Sequence, residues 1–167
     1  MSNIKIKEVT LADCEDFRIF EMLQSIGRKE NGFGNSAFGI SKDDYPGYIE
    51  KLVRQKTLKG NEFVPQTVFW LFDDNTVIGF SKMRHYLNDK LRIEGGHIGF
   101  GIRKEKRNQG YGKILLKLTL SEMKKIGVSD VLLTCDSDNI GSINVIEANN
   151  GKLEKEENDC RWYWIKI

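Results

Sequence analysis

The chain has 167 residues, 40% of them hydrophobic, and its 26 basic and 24 acidic residues leave a net charge of +2. A chain of this size and composition can bury one hydrophobic core, so we expect a single domain over residues 1–167. The near-balance of charge gives no electrostatic footprint for nucleic acid or an anionic membrane, and we expect neither as a partner.

The cysteines and histidines predict neither disulfides nor a metal site. Cys14, Cys135 and Cys160 are far apart and form no C-x-x-C pair, which argues against a disulfide framework and a zinc knuckle. His85 and His97 have no paired cysteines or carboxylates nearby to complete a metal site. No segment is apolar over the length of a signal peptide or a membrane span. We therefore expect a soluble, cytoplasmic protein with reduced thiols.

The N-terminal part of the chain predicts one strand and two helices. Apolar and polar residues alternate from Ile4 to Val9, as in a strand with one buried face. Apolar residues then recur at helical spacing from Leu11 to Ile26, and Gly27 follows as a helix stop. A hydroxyl and acidic residues beginning at Ser41 predict the start of a second helix, over residues 42–58.

The segment between these helices, Asn31 to Gly39, is rich in glycine and asparagine and carries Phe33 and Phe38. Two interpretations are open. One is a loop that packs the two phenylalanines onto the core, and the other is a lid over a substrate pocket.

The middle of the chain predicts three strands. Val64 to Phe72 and Thr76 to Tyr86 are rich in β-branched and aromatic residues and flank a polar turn, so they predict a hairpin. Leu91 to Ile102 predicts a third strand, interrupted by Gly95 and Gly96.

One face of this third strand lacks side chains. Ile98, Phe100 and Ile102 would share a face, and the opposite face would carry His97, Gly99 and Gly101. Such glycines indicate either a helix that crosses the strand closely or backbone groups that pair with an amide-containing ligand.

The C-terminal part continues with helix, strand, helix and a hairpin. These elements are expected over Ile114–Ile126, Val131–Cys135, Ile140–Asn149 and, for the hairpin, Leu153–Glu157 with Cys160–Ile167. The order predicts an α/β domain with a mixed central sheet and helices on both faces. The final strand, RWYWIKI, is expected in the core and at a sheet edge, or alternatively at the edge that pairs two copies in a homodimer.

The segment RNQGYGK, Arg107 to Lys113, lies between the third strand and the following helix. Glycines in a turn that enters a helix leave free backbone N–H groups at the helix N-terminus, which is the chemistry of phosphate binding. The segment lacks the third glycine of a dinucleotide fingerprint and the Ser or Thr of a P-loop.

Two motifs resemble those of the GNAT acyltransferases, which use acetyl-CoA. Arg107-x-x-Gly110-x-Gly112 resembles their [Q/R]-x-x-G-x-[G/A] signature, and DNIGSINVIEANNG, with Asn139 at the helix entrance and Gly151 at its exit, is similar to their second motif. HIGFGIRKEKRNQGYGK resembles bacterial members. The resemblance is tight over residues 97–151 and loose before them. It implies a mostly antiparallel, twisted sheet whose splayed strands form an acyl-CoA crevice.

The resemblance also implies the donor and the residues that bind it. Acetyl-CoA would be the co-substrate, without a metal, and a strand N–H would hold the thioester carbonyl. The residues implied to bind the pantetheine arm and the diphosphate are Phe100, Gly101, Ile102, Arg107, Asn108, Gln109, Gly110, Tyr111, Gly112, Lys113, Asn139 and Ser142.

The implied reaction is direct attack on the thioester by a primary amine of a small molecule or peptide. An ammonium must first lose a proton, so a general base is needed. The family's usual glutamate position falls near Gly96, which leaves Glu94, His97 or a water chain as candidates. Each side chain also has a structural interpretation, as an exposed carboxylate for Glu94 and a hydrogen-bonded histidine for His97.

The family's usual general acid, a tyrosine, falls at Ile146, which cannot donate a proton. Water, Ser142 or Tyr163 could supply it. This departure keeps a second interpretation open, a non-catalytic module that binds or senses acyl-CoA. The sequence does not identify the acceptor.

Overall fold

The computed structural model describes residues 3–30, 33–60 and 62–167. Nine strands and five α-helices lie in these ranges. The strands are β1 Ile4–Glu8, β2 Lys29–Glu30, β3 Phe33–Gly34, β4 Gln66–Asp73, β5 Thr76–Arg84, β6 Ile98–Ile102, β7 Asp130–Asp136, β8 Lys152–Glu157 and β9 Cys160–Lys166. The α-helices are α1 Phe17–Ile26, α2 Tyr45–Gln55, α3 Asp89–Ile93, α4 Tyr111–Lys125 and α5 Ile140–Glu147.

Two antiparallel sheets form the centre of the domain, with strand orders β1-β4-β5-β6 and β7-β9-β8. They meet where β6 begins, because the His97 N–H donates to the Leu132 carbonyl of β7 at 2.7 Å. Beyond this point the described residues of β6 and β7 form no ladder. The structure confirms the predicted α/β fold with a mostly antiparallel sheet, although every pair of its strands is antiparallel and none makes the sheet mixed within the described residues. The separation of β6 and β7 opens a crevice between them.

Helices cover both faces of the larger sheet. Residues alternate along β4, so that Trp70 packs with α1 and α2 while Phe69 packs with α4 and α5. Every residue of β4 between its two ends is buried, as expected for a strand covered on both sides. No helix in the described ranges is long and apolar enough to cross a membrane.

The predicted strand from Leu91 to Ile102 is wrong in its first half. Asn88 caps a short helix, α3, by accepting a hydrogen bond from the Leu91 N–H at 2.9 Å. Gly95 and Gly96 then take φ values of 108° and 58°, which side-chain-bearing residues rarely adopt. The pair turns the chain, so the strand starts only at Ile98.

Three predicted helices have different bounds in the structure. The helix expected over residues 42–58 is the shorter α2, Tyr45–Gln55. The helix expected from Leu11 to Ile26 is divided at Asp16, whose ψ of 87° is not helical and whose carboxylate caps α1. A 3-10 helix, Leu11–Glu15, precedes this break. Helix α4 starts at Tyr111, earlier than the predicted Ile114, because the glycine-containing turn leads directly into it.

The Asn31 to Gly39 segment is partly a small hairpin, since β2 and β3 pair with each other. Asn31 and Gly32 lie outside the described residues, as does the side chain of Phe33. Phe38 is 40% exposed and does not pack into the core as one interpretation expected. Gly34 lines the larger of two cavities considered below.

The last strand is not at an edge. β9 pairs with β7 on one side and β8 on the other, so the expectation of an edge strand there, and of a dimer formed through it, is wrong. The edge belongs to β8, whose residues are all exposed and mainly lysine and glutamate. Charged side chains of this kind discourage edge-to-edge pairing.

Asp13 is a buried carboxylate that joins three parts of the fold. It is 1% exposed and accepts hydrogen bonds from Lys7 Nζ at 2.8 Å, the Thr10 N–H at 2.9 Å and Trp70 Nε1 at 3.0 Å. It therefore ties β1, the 3-10 helix and the centre of β4 together.

We expect Asp13→Ala to lower the free energy of unfolding by about 3 kcal/mol, because the buried Trp70 donor would be left without an acceptor and the bonds from Lys7 and Thr10 would be lost. Urea unfolding followed by tryptophan fluorescence measures the loss. Asp16→Ala is the matched control, since it removes a partly exposed cap worth about 1 kcal/mol. Equal losses in the two variants would contradict the role given to Asp13.

Candidate active site

The turn between β6 and α4 presents a row of backbone N–H groups. Asn108 and Gly110 have φ values of 58° and 87°, and this local conformation turns successive N–H groups toward one side. Within the described part of the chain, the backbone N–H groups of residues 108–112 donate to no protein acceptor. They lie at the N-terminus of the 15-residue helix α4, where the helix dipole favours an anion.

Glycine is required at Gly110 and at Gly112 for different structural reasons. At Gly110 a Cβ atom would meet nothing within 4 Å, so its left-handed backbone is what requires glycine. At Gly112 a Cβ atom would lie 2.9 Å from Val145 Cγ2 of α5. Gly112 thus lets α4 and α5 pack closely, and a larger residue there would disturb packing as well as any bound anion.

Several side chains of this turn are held by the protein. Arg107 Nε donates to the Ile102 carbonyl at 2.9 Å, which fixes the end of β6, and Gln109 Nε2 donates to the Glu105 carbonyl at 3.0 Å. The Tyr111 hydroxyl donates to an Asp73 carboxylate oxygen on β4. These contacts hold the turn in place and leave its main chain to face a ligand.

At alternate residues of β6, the main-chain N–H and C=O groups point toward β7. The ladder between β5 and β6 ends in bonds from the Arg84 N–H to the His97 carbonyl and from the Arg103 N–H to the Ile78 carbonyl. Because bonding alternates along an antiparallel pair, every second residue between these bonds points away from β5. The residues whose main-chain groups face the crevice are Ile98, Phe100 and Ile102.

A cavity of about 490 Å³ lies between the start of α4, the end of β6 and α5. Its lining includes most of the residues predicted to bind the donor, namely Phe100, Gly101, Ile102, Arg107, Asn108, Gly110, Tyr111, Gly112, Lys113, Asn139 and Ser142. Gln109 was also predicted to bind the donor, but it does not line this cavity. The turn, the strand edge and the helix entrance are thus brought together around one space.

A second, larger cavity of about 1100 Å³ lies beside the first, over β5, β6 and the end of β7. Phe100 and Ser142 line both cavities, so the two spaces meet there. Gly99 lines the larger cavity and Gly101 the smaller. The bare face of β6 is therefore open to both, which favours the interpretation that its glycines make room for a ligand.

Asn139 and Ser142 bond each other at the start of α5. Asn139 Oδ1 accepts from the Ser142 N–H at 3.0 Å, and Asn139 Nδ2 donates to Ser142 Oγ at 2.7 Å. Because Ser142 Oγ serves as an acceptor in this pair, its own proton can be donated to a group in the crevice.

Glu94 lies on the rim of the larger cavity and not on a strand as expected. Gly96 lets the chain pass close to β7, where a Cβ atom would lie 2.4 Å from the Leu132 carbonyl oxygen. The neighbouring Gly95 N–H donates to Thr134 Oγ1 of β7 at 2.9 Å, and Glu94, which precedes it, is exposed. Burial, followed by the charges of Asp136 and Glu94, raises the pKa of the Cys160 thiol, so both carboxylates lie near that side chain.

His97 joins the two sheets at the root of the crevice. Its N–H donates to the Leu132 carbonyl, and its Nδ1 accepts from the Leu132 N–H at 2.9 Å. Burial, followed by the charges of Arg92 and Arg84, lowers the pKa of His97 to about 4. A neutral ring that accepts at Nδ1 carries its proton on Nε2, so neither nitrogen has a free lone pair. This geometry favours the structural interpretation of His97 over a basic role.

Acidification is expected to destabilise the protein through His97. The pKa of about 4 in the folded state lies below the value of 6.5 for an unperturbed histidine, so between these limits the unfolded state binds the proton more tightly. Stability should fall by up to about 3 kcal/mol as the pH is lowered from 7 to 4. Unfolding free energies across this range measure the slope. In His97→Asn, the side-chain oxygen can still accept the Leu132 N–H, but the loss of stability caused by protonation of His97 should be absent. An identical slope in both proteins would refute the role given to His97.

The sequence model described as the acetyltransferase (GNAT) family matches residues 35–151. The chain belongs to the GNAT acetyltransferase family. This confirms the expectation of an acyltransferase. A search of curated proteins finds no match.

Solved GNAT structures share the fold of the whole chain. An N-acetyltransferase from Staphylococcus aureus is 15% identical, with a TM-score of 0.66, and the alignment covers 99% of each chain. A GNAT-family acetyltransferase from Streptococcus pneumoniae is 14% identical, with a TM-score of 0.66 and coverage of 99% of this chain and 100% of that chain. RimL, a ribosomal alpha-N-protein acetyltransferase in complex with coenzyme A, is 12% identical, with a TM-score of 0.72 and coverage of 98% and 94%.

The resemblance puts the family's usual tyrosine acid at a position that has no hydroxyl in this GNAT protein. Ile146 occupies that position, is buried and lines the larger cavity. Tyr163, one of the suggested replacements, is fully buried and donates its hydroxyl to Glu147 Oε1 at 3.1 Å. Tyr163 lines neither cavity, which leaves Ser142 as the hydroxyl placed at their junction.

The charged residues of the larger cavity that were not predicted from the sequence of this GNAT protein include Lys82, Arg84 and Asp136. Lys82 pairs in register with Gly99 on the bare face of β6. The signal was present in FSKMR, where cations at alternate positions of a strand must share one face. This pattern alone does not indicate a cavity, because lysine and arginine on a strand are usually solvent-exposed.

Proposed function

We propose that the protein transfers an acetyl group from acetyl-CoA to a primary amine of a small molecule or peptide, by direct attack of the amine on the thioester. The observation that carries this proposal is the row of unpaired N–H groups at residues 108–112, which opens into a crevice that meets a second cavity at Phe100 and Ser142. A donor and an acceptor can therefore approach each other from two sides.

Coenzyme A fits the donor side in charge and shape. The N–H groups at the start of α4 would bind the diphosphate, with Lys113 adding positive charge. The crevice edge of β6 would pair with the pantetheine amides as a neighbouring strand would. RimL, which shares the fold, has coenzyme A bound, and its name identifies an alpha-amine of a ribosomal protein as its acceptor.

Acetyl-CoA, when bound, supplies the reactive thioester. The Phe100 N–H, which faces the crevice, would donate to the carbonyl oxygen as negative charge develops on it. Ser142 would donate its hydroxyl proton to a hydrogen bond with the departing sulfur. We assign the proton transfer from the acceptor ammonium to Glu94, directly or through water, with Asp136 as the neighbouring alternative. His97 would act as a positioning residue that holds β6 against β7.

The test combines calorimetric binding of coenzyme A with thiol release from acetyl-CoA in the presence of a pooled amine panel. Binding together with amine-dependent thiol release is the expected result. Binding without turnover of any amine would favour the non-catalytic acyl-CoA module. The observation in favour of that module is that Ile146 cannot donate a proton. Absence of binding would overturn both functions.

A further inference from the structure

The larger cavity contains positive charge that donor binding does not explain. Lys82 and Arg84 occupy alternate positions on β5 and both line this cavity. Arg84 Nη1 donates to the carbonyls of Gly95 and Gly96, at 2.9 and 3.1 Å. These bonds hold one edge of the guanidinium in the cavity wall, while its other nitrogens remain available for further hydrogen bonds.

The strand register places this charge beside the proposed reaction centre. Lys82 pairs with Gly99, next to Phe100, and the Arg84 N–H bonds the His97 carbonyl. At about 3.4 Å per residue, the two cations start roughly 3 to 10 Å along the sheet from Phe100. A small acceptor whose amine lies at Phe100 would therefore extend past both.

The charge of Arg84 disfavours the charged form of Lys82. Burial, followed by the charges of Arg84 and Lys51, lowers the pKa of Lys82 to about 8, and burial lowers the pKa of Arg84. An anion between Lys82 and Arg84 would reduce the repulsion between their charges, whereas a further cation would increase it.

The remaining walls suit the other parts of an acceptor. Carboxylates line the side formed by β7 and the β8–β9 turn, namely Asp136, Asp138, Glu157 and Asp159, and these would attract an ammonium group. Leu58, Phe63 and Ile93 line the cavity while 42%, 66% and 69% exposed. The mouth of the cavity thus has an apolar patch beside exposed charged residues such as Glu62 and Lys90.

We propose that the acceptor is an amine that also carries an anionic group, a carboxylate or a phosphate, which Lys82 and Arg84 bind while the amine lies toward Phe100 and Ser142. This inference rests on the proposed function and names its substrate class. The apolar patch of Leu58, Phe63 and Ile93 further favours an acceptor with an apolar body.

The experiment measures binding of matched amines to the protein saturated with coenzyme A, by calorimetry. Leucine is compared with leucinamide, and phosphoethanolamine with ethanolamine, so that the two pairs distinguish a carboxylate from a phosphate. We expect the anionic member of at least one pair to bind roughly 10- to 100-fold more tightly. Equal affinities in both pairs, or no binding of either anionic amine, would overturn the proposal. Failure to bind coenzyme A would instead refute the proposed function.

Variants then test whether Lys82 causes the tighter binding of the anionic amines. Lys82→Met keeps the length and apolar stem of the side chain and should reduce the affinity ratio of the matched pair toward one. Lys82→Arg should keep most of the ratio, and Lys117→Met, on the exposed face of α4, controls for the change in net charge. A ratio that survives in Lys82→Met would overturn the role of Lys82, and ratios of kcat/KM for the same amines give an independent readout.

Discussion

Gly110→Asp is expected to weaken binding of coenzyme A by roughly a hundredfold or more, while Gly110→Asn keeps most of the affinity. Both residues tolerate the left-handed backbone better than other non-glycine residues, and a Cβ atom at Gly110 meets nothing within 4 Å. The variants therefore differ mainly in one negative charge at the start of α4. A carboxylate roughly 5 Å from a phosphate charge costs about 3 kcal/mol at an effective dielectric constant near 20.

Calorimetric titration of coenzyme A into each variant measures this difference, and thermal unfolding shows whether both remain folded. The difference should shrink as salt is added, because screening weakens interactions between exposed charges. Equal affinities for Gly110→Asp and Gly110→Asn would place the diphosphate elsewhere. Gly112 is a poorer position for this test, since its substitution would also push against Val145.

The donor side was predictable from sequence because its information is local. A glycine-containing turn between a strand and a helix determines which N–H groups are left unpaired, and α4 follows from the periodicity of its apolar residues. The crevice was predicted only through the family resemblance, because the alternating Gly99 and Gly101 were equally consistent with a helix that crosses the strand closely. The local pattern gave a wrong prediction for the segment before Ile98, where a short helix and two left-handed glycines replace the expected strand.

The acceptor side was less predictable because it depends on contacts between distant segments. Lys82 and Gly99 become neighbours only through the register of β5 and β6. Glu94 and Asp136 line the same cavity only because Gly96 passes close to β7. The pairing of Asn139 with Ser142 is local, but its position beside Phe100 follows from the separation of β6 and β7. Such juxtapositions have no signature in a single sequence.

The arrangement also explains why the protein can lack the usual tyrosine. A thiolate is a good leaving group compared with an amine, since its reference pKa is near 8.5 against about 10.4 for an alkylammonium. The demanding proton transfer is therefore removal of the proton from the acceptor. The cavity places its carboxylates on the acceptor side and only the Ser142 hydroxyl at the junction, which matches this division.

Glu94→Gln is accordingly expected to lower kcat for alkylamine acceptors by roughly 10²- to 10⁴-fold, while the affinity for coenzyme A stays unchanged. Glutamine preserves the shape of the side chain and removes its ability to take a proton. Initial rates of thiol release at saturating acetyl-CoA measure the effect. Glu157→Gln, which also changes a carboxylate of the larger cavity, controls for the loss of negative potential, and Asp136→Asn tests the neighbouring carboxylate.

The choice of acceptor separates a base from a residue that only attracts or positions the amine. An amine whose pKa lies below the assay pH is already neutral, so it needs no base to begin the attack. For such an acceptor Glu94→Gln should react nearly as fast as the unchanged protein, and for alkylamines its rate should rise with pH as the fraction of neutral amine grows. An equal loss for both kinds of acceptor would show that Glu94 shapes the cavity. If Asp136→Asn alone causes the loss, the proton passes to the end of β7, and the turn at Gly95 and Gly96 serves to close the cavity wall.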